Sequence, residues 1–565
     1  MRKGTTDSLE LDGAYGLLIL SLVAKLYWLQ PELGLFAPAE AAFRVILRNR
    51  ITAVLCHLVF GLFIISFVAL LFRKRNAQLV IGILLQFVIV PLAYLDLTYA
   101  RFQGSFISSS QWSLWREGFS ALSTLRSYVV SSDLFLLVDL PIAAFCYYLA
   151  FSVRALRVTR RKLTLVALVS GLALIGLSLH LWNKCSSPDV LSRPYNRRFT
   201  SPIIWLLNGV RHFAAKEHYP LLKTKPASLA SASGKMTDRP HIIFIQIESL
   251  QAGAVEWRYC DKVVMPFLQS LSAKGCYYPS AVSPRMTGVS FDADIAVLTG
   301  FRPPPTSDPY NYCFASPPYF PHLLTNMGYM TVTWDNYLPE FYKGQHNHRL
   351  LGMKKYNSLR TWCWSTSLPR LSANCPGDYE FLDVVAKDLL KAQKPVFYHV
   401  KTVSSHGPWN NLDEQEEIVR LIGRPFHGSD PVLNGYAAVL NYVDKALINF
   451  FNTIGPLIDE GKVLVALYGD HGAGLPLVTI DTPQLPIREA REKCVPLLLI
   501  GFGKNIYHTK ATLTDVPMTV ATHMGLPFNK GDLGGRDLYA TTPHPTVVNE
   551  AELLLYGYGK LGAPK

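Results

Sequence analysis

The stretch KVLVALYGDHG, Lys462 to Gly472, decides the fold. Its first part is an unbroken apolar run, which reads as a buried parallel strand covered on both faces. A polar pair, Asp470 and His471, follows at once. The same rhythm recurs on either side: HIIFIQI (241–247), GYMTVTW (328–334), PVFYHVK (395–401) and VPLLLIG (495–501) are short, nearly continuous apolar runs. Between them lie segments with helical spacing, such as VVAKDLLKAQ (384–393) and LNYVDKALINFFNTIG (440–455). Strands alternating with helices predict an α/β domain whose mainly parallel sheet is covered by helices. In such sheets ligands gather beyond the carboxyl ends of the strands. There the sequence places Glu248 after the first run, Asp335 and Asn336 after the second, His406 shortly after the third, and Asp470 with His471 after KVLVALYG.

Glu248, Asp470 and His471 form a hard-ligand set suited to one divalent cation, Mn2+, Mg2+ or Zn2+. A hydroxyl nucleophile would complete it, best placed at a helix start, where unpaired amides and the positive dipole end favour a phosphate. The segment SPRMTGVSFDADIAVLTG (283–300) offers one. Gly288 permits close approach, Ser290 is a natural N-cap, and FDADIAVL continues as helix. Thr287 stands three residues earlier, and the residues alone leave it level with Ser290.

Working outward, the N-terminal part has a different character. Only 17% of the 565 residues are charged, below the roughly 25% typical of soluble chains. Five apolar runs, at about 14–30, 52–72, 77–96, 133–152 and 163–182, are expected to be membrane spans. The first is followed by four more and by no small-residue cleavage site, so it reads as a span, not a signal peptide. Arg2 and Lys3, then Arg73, Lys74 and Arg75, then Arg154, Arg157, Arg160, Arg161 and Lys162 fall on one side if the N-terminus is cytoplasmic. Everything after residue 182 is then extracytoplasmic. Trp112, Trp115 and Phe119, and the segment around Ile203, Trp205, Leu206, Arg211 and Phe213, read as amphipathic helices at the interface or packed on the outer domain.

The net charge of +14 is uneven. Residues 1–182 hold 17 basic and 9 acidic side chains, 183–240 hold 10 and 3, and the remaining 325 hold 28 and 29. A neutral C-terminal region argues against nucleic acid and for basic segments beside anionic lipid. KPASLASASGKMTDRP (225–240) reads as a boundary. The expected organisation is a five-helix membrane domain over 1–182, a linker with an interfacial helix over 183–238, a catalytic domain over 239–545 and a tail over 546–565. Seven of the nine cysteines fall outside the spans, which suits an oxidising compartment. Cys363 with Cys375 and Cys260 with Cys276 are the expected pairs.

The motifs IES (247–249), TGVSFDAD (287–294), SSHGPW (404–409) and YGDHG (468–472), in that order after five spans, resemble the lipoteichoic acid synthase type of membrane phosphoglycerol transferase, within the alkaline phosphatase and sulfatase superfamily. The resemblance implies an alkaline-phosphatase-like outer domain and one divalent ion, Mn2+ before Mg2+ or Zn2+. It places that ion on Glu248, Ser290, Asp470 and His471. It implies Ser290 as nucleophile over Thr287, because the family's Gly-x-Thr before Asp-Ala-acidic falls on Gly288-Val289-Ser290. His406 is implied as headgroup contact and proton donor. Where the family has His-Gly-Asn and then an Arg, this chain has Trp334, Asp335 and Asn336, with Lys343 near the Arg position. Trp334, Asn336 and Lys343 are the expected substrate-binding residues there; His346 and His348 read as solvated loop positions. The ectodomain cysteines fit a Gram-negative periplasm.

The resemblance implies transfer of phosphoglycerol from phosphatidylglycerol, through a phospho-Ser290 diester, to a glycan, glucan or lipid acceptor at the outer face of the inner membrane. A phosphoethanolamine transferase acting on lipid A or a glycan is the second reading, with Glu340 or Asp335 facing the ammonium. A sulfatase is disfavoured: its formylglycine motif needs Cys or Ser two residues before Pro, and Val282 stands there before Pro284. A catalytically silent lipid sensor would lack the ligands, and all three are present.

Overall fold

The computed structural model divides into two compact units, Met1–Lys216 and Glu217–Lys565. In the first it describes residues 58–72 and 156–185, with scattered positions between 8 and 94. In the second it describes 239–284, 290–303, 318–363, 377–407, 416–477, 493–502, 511–528 and 533–539, with a few isolated positions.

In the first unit, strand Ser8–Leu11 pairs antiparallel with Leu156–Thr159, which runs into the helix Arg160–Cys185. That helix exposes Leu165, Leu168, Val169, Leu172 and Ile175. Among the described residues no helix is long and apolar enough to cross a membrane. The structure therefore neither counts nor orients the five expected spans. Those at 14–30 and 133–152 lie largely or wholly outside the described residues, as do the aromatic segments around Trp112 and Trp205 and the tail after 545.

The second unit is built on one eight-stranded sheet. Its strands are β1 His241–Ile247, β2 Cys276–Val282, β3 Met330–Asp335, β4 Lys355–Asn357, β5 Val396–Lys401, β6 Val463–Gly469, β7 Cys494–Ile500 and β8 Asn505–Ile506. They lie in the order β8-β2-β7-β6-β1-β5-β3-β4. From β6 to β4 all neighbours are parallel, as the apolar runs predict. VPLLLIG departs from that expectation, because β7 runs antiparallel to both β6 and β2. Residue composition cannot distinguish the two senses in a strand covered on both faces. The strand CYYPSAV was not legible as an apolar run; its register slips opposite Val495 and Leu497, where the paired segments carry Pro279 and Pro496.

Alternation gives the sheet two unlike faces. Ile243, Ile245 and Ile247, Val332 and Trp334, Tyr398 and Val400, and Val463, Val465 and Leu467 point into one apolar core. Helices α5 (Asp378–Leu390) and α6 (Pro431–Asp459) close that core. Asp430 caps α6, its Oδ1 accepting from the amides of Val432 and Leu433. Other helices of this unit are α1 (Pro266–Ser272), α2 (Ser290–Thr299), α3 (Phe320–Asn326), α4 (Gly344–Leu350) and α7 (Asp515–His523), with Leu359–Trp362 and Glu416–Ile422 left unnumbered. The opposite face is graded. Near the strand starts Phe244, Phe397 and Phe320 of α3 interlock, with ring centroids 4.9 to 5.6 Å apart. Toward the strand ends the same alternation presents Gln246, Asp335, His399, Lys401 and Tyr468.

Candidate metal centre and nucleophile

Glu248 follows β1, and Asp470 and His471 follow β6, its parallel neighbour, so the three arrive at one sheet edge by strand order. Their ligand atoms all lie within 4.8 Å of one another, and all three residues are buried. Backbone packing forces the approach. A Cβ on Gly469 would sit 2.1 Å from the Leu250 carbonyl oxygen, and one on Gly472 would sit 1.9 Å from that of Arg491. The glycines flanking Asp-His are thus steric requirements of the turn. Ser249, in a left-handed conformation (φ 54°), turns its amide onto Asp470 Oδ1 at 2.7 Å.

Ser290 stands at the start of α2 and its Oγ donates to Glu248 Oε2 at 3.0 Å. Thr287 and Gly288 lie outside the described residues. His471 Nδ1 faces the Gly472 carbonyl oxygen at 3.0 Å; a carbonyl only accepts, so Nδ1 carries the proton. Nε2 then faces Glu248 Oε1 at 3.3 Å and Asp470 Oδ2 at 3.7 Å. That Oδ2 is buried and has no hydrogen-bond partner among the described residues. Two carboxylates and an imidazole lone pair converging without a cation are mutually repulsive, so the donor set fits a bound divalent ion.

The acid–base behaviour tells the same story. Burial, then the charge of Glu248, pushes Asp470 up to about 7. Burial also opposes ionisation of Glu248, but with no metal ion bound a protonated His471 hydrogen-bonds to it and attracts it, the charge of His406 adds to this, and Glu248 is held well below the usual carboxylate range. His406 thus lies within electrostatic reach of the cluster. Its loop is anchored twice: Ser405 Oγ donates to the Glu248 carbonyl oxygen at 2.5 Å, and Asp378 accepts from the amides of Val403 and Ser404 at 3.0 and 2.8 Å.

The structure does not bring Trp334 and Asn336 to this cluster. Even-numbered positions of β3 point into the apolar core, where Trp334 packs against Tyr398, and Asn336 is buried with its amide donating to Asp378 Oδ1 at 2.9 Å. Lys343 occupies a left-handed position (φ 49°) before α4 and is half-buried. His346 is exposed, but His348 is fully buried in α4, not solvated. Asp335 is engaged by Lys401 at 3.3 Å and by the Tyr356 hydroxyl at 2.6 Å, and Glu340 pairs with Arg360. Cys260 is exposed and free, while Cys276 is buried with the Tyr539 hydroxyl on its sulfur at 2.8 Å, so that expected disulfide is absent. Cys375 lies outside the described residues.

A second buried cluster went unread: Asp294 of α2, His348 of α4 and His399 of β5, all without solvent exposure. It carries its own cation. Lys401 Nζ lies 2.8 Å from Asp294 Oδ2. Burial works against this ammonium, but Asp294 and Asp335 outweigh it and keep it protonated. The available signal was two polar residues of equal parity, His399 and Lys401, inside an otherwise apolar run. Breaking a buried pair of this kind costs about 3–5 kcal/mol.

A mainly parallel sheet bearing a hydroxyl and a carboxylate–imidazole ligand set at its carboxyl edge is the alkaline-phosphatase-like class of α/β domain. The sulfatase family model matches residues 240–526, just over half of the 565 residues, and the chain belongs to that family. The lipoteichoic acid synthase N-terminal domain model matches residues 5–211. Among curated relatives, lipoteichoic acid synthase 1 of Bacillus subtilis is 22% identical over 516 residues, covering 84% of this chain and 78% of the relative. Lipoteichoic acid synthase of Staphylococcus saprophyticus is 22% identical over 502 residues, with 82% and 75% covered. Among solved structures, the integral membrane lipooligosaccharide phosphoethanolamine transferase A of Neisseria meningitidis shares the fold at a TM-score of 0.54 and 16% identity, over 90% of this chain and 95% of that one.

Proposed function

We propose that the chain transfers a phosphoglycerol headgroup from phosphatidylglycerol to a glycan, glucan or lipid acceptor at the outer face of a membrane, through a phosphodiester on Ser290. The observation that carries this reading is the hydrogen bond from Ser290 Oγ to Glu248, within a buried Glu248, Asp470 and His471 set. The lipoteichoic acid synthases among the relatives support the reaction class. Glu248, Ser290, Asp470 and His471 would hold one divalent ion, Mn2+ before Mg2+ or Zn2+, which when bound supplies positive charge against the phosphoryl oxygens and lowers the serine pKa.

The residues divide the work. Ser290 Oγ attacks phosphorus as its proton passes to solvent, Glu248 holding the oxygen in line through their hydrogen bond. The Oγ–P bond forms, the P–O bond to diacylglycerol breaks, and the departing oxygen takes a proton from His406. In the second half an acceptor hydroxyl gives its proton to His406 and forms the new P–O bond, and the Ser290 oxygen departs and recovers its proton. Lys343 is the candidate cation for the headgroup phosphate, as a point charge without the fork of Arg.

The membrane half belongs to the same proposal. Five spans, a cytoplasmic N-terminus, boundaries near 182, 238 and 545, and a periplasmic catalytic domain in a Gram-negative cell would hold the site at headgroup height, where positioning is much of phosphoryl-transfer catalysis. The N-terminal family match and the exposed apolar residues of Arg160–Cys185 support it.

The test is donor choice in membranes containing the full chain, with phosphatidylglycerol or phosphatidylethanolamine labelled in the acyl chains. Labelled diacylglycerol from phosphatidylglycerol, lost in Ser290→Ala, is expected. Release from phosphatidylethanolamine alone would assign the other donor, and release from neither would remove the transferase reading.

A further inference from the structure

We infer that Lys401 is a positioning residue for Ser290: with Asp294 it pins the nucleophile helix to the sheet, making the second buried cluster a clamp and not a second metal centre. The inference rests on Ser290 being the nucleophile, as proposed above.

The geometry ties α2 down at two points one turn apart. Asp294 stands four residues after Ser290, so the two share a face of the helix. Its Oδ2 is 2.8 Å from Lys401 Nζ, and the same ammonium reaches Asp335 at the end of β3, 3.3 Å away. One cation therefore joins α2 to the carboxyl ends of β3 and β5. The second point is the Ser290 carbonyl oxygen, which accepts from Gln246 Nε2 at 3.4 Å. Gln246 lies two residues before Glu248, on the strand that delivers the metal-type ligand.

Hydrogen-bond direction separates a clamp from a metal site. The Tyr468 hydroxyl donates to Gln246 Oε1 at 3.4 Å, which uses its only proton. His399 Nε2, 3.1 Å from that hydroxyl, must then be the donor. A protonated Nε2 offers no lone pair, and it lies 3.9 Å from Asp294 Oδ1 as a donor toward a carboxylate. His348 differs: its Nδ1 donates to the Gly344 carbonyl oxygen at 2.9 Å, which leaves the lone pair on Nε2, 3.4 Å from Asp294 Oδ2, and there it is the Lys401 ammonium on the same Oδ2 that supplies the positive charge. The lysine already fills the cation's place. A polar relay then runs His399, Tyr468, Gln246, Ser290.

The experiment uses the full chain in detergent with phosphatidylglycerol, comparing wild type with Lys401→Met, Lys401→Arg and Gln246→Leu. Each protein is assayed for divalent ions per chain, thermal stability, and kcat and KM for diacylglycerol release. Lys401→Met is expected to keep its metal while kcat falls about 100-fold, the scale of a misplacement near 1 Å, with KM changed less than about threefold. Lys401→Arg should recover most of kcat. Gln246→Leu, which leaves the buried ion pair intact, should lower kcat about tenfold and serves if Lys401→Met does not fold. A crystal structure of the folded variant gives a readout independent of the donor: Ser290 Oγ should move off Glu248. If Ser290 stays in place, or if kcat falls only in step with lost metal or lost folded protein, the clamp is wrong. An inactive wild type would instead overturn the transferase reading, leaving Ser290 displacement to judge the clamp.

Discussion

Two buried carboxylate–histidine clusters lie along the carboxyl edge of one sheet, and they differ in where the positive charge comes from. Around Glu248, Asp470 and His471 two carboxylates face an imidazole, and Asp470 is pushed up to about 7 by burial and its neighbour. Around Asp294, His348 and His399 the chain supplies Lys401, and Asp294 is held below the usual carboxylate range: burial opposes this, but the lysine charge and His348 prevail. Ligand chemistry alone does not mark a metal centre. The tie-breaker is whether an internal ammonium has already balanced the charge.

The comparison breaks most sharply at the nucleophile. Ser290→Ala should abolish diacylglycerol release, by at least about 10³-fold in kcat, with melting temperature nearly unchanged. Almost as large, Glu248→Ala or Asp470→Ala should empty the first cluster, so elemental analysis should find no bound divalent ion, whereas Asp294→Asn should leave metal content intact. Chelation should lower the melting temperature of wild type, because two buried carboxylates lose their counter-charge, and Mn2+ should restore it.

A smaller effect concerns the second cluster alone. Burial, with help from His348 and Lys401 and against Asp294, holds the His399 pKa down to about 3. Its folded pKa is below the unfolded value near 6.5, so the unfolded chain takes up the proton first. The stability it confers is therefore complete above about 6.5 and is lost as pH falls toward 3. Denaturant titrations of wild type and His399→Phe should diverge in slope across that window. Smallest of all, Arg360→Ala, which removes an exposed partner of Glu340, should change stability by less than about 1 kcal/mol.

How legible each cluster was follows from how its residues are spaced. Glu248 and Asp470-His471 were readable because each directly follows an apolar run, and position after a strand is a one-dimensional signal. Asp294, His348 and His399 come from two helices and a strand interior, so only packing unites them. Trp334 illustrates the same point: it is adjacent in sequence to Asp335 but points to the opposite side of the pleat. His348 looked like loop because Gly344 to Leu350 carries no apolar stripe. The parallel core could be read from composition, but the reversed sense of β7 could not, since strand direction leaves no trace in residues covered on both faces.

That reversal has a practical corollary. Because β7 runs against its neighbours, it begins where they end, and the backbone approaching it walls the chemistry: the Arg491 carbonyl oxygen accepts from Gly474, that of Lys493 from Ser283 and that of Cys494 from Ala252. The chain leaves β7 through Gly501 and Phe502 at the far rim. A fluorescent label or affinity peptide spliced in before Cys494, inside this wall, should silence the enzyme.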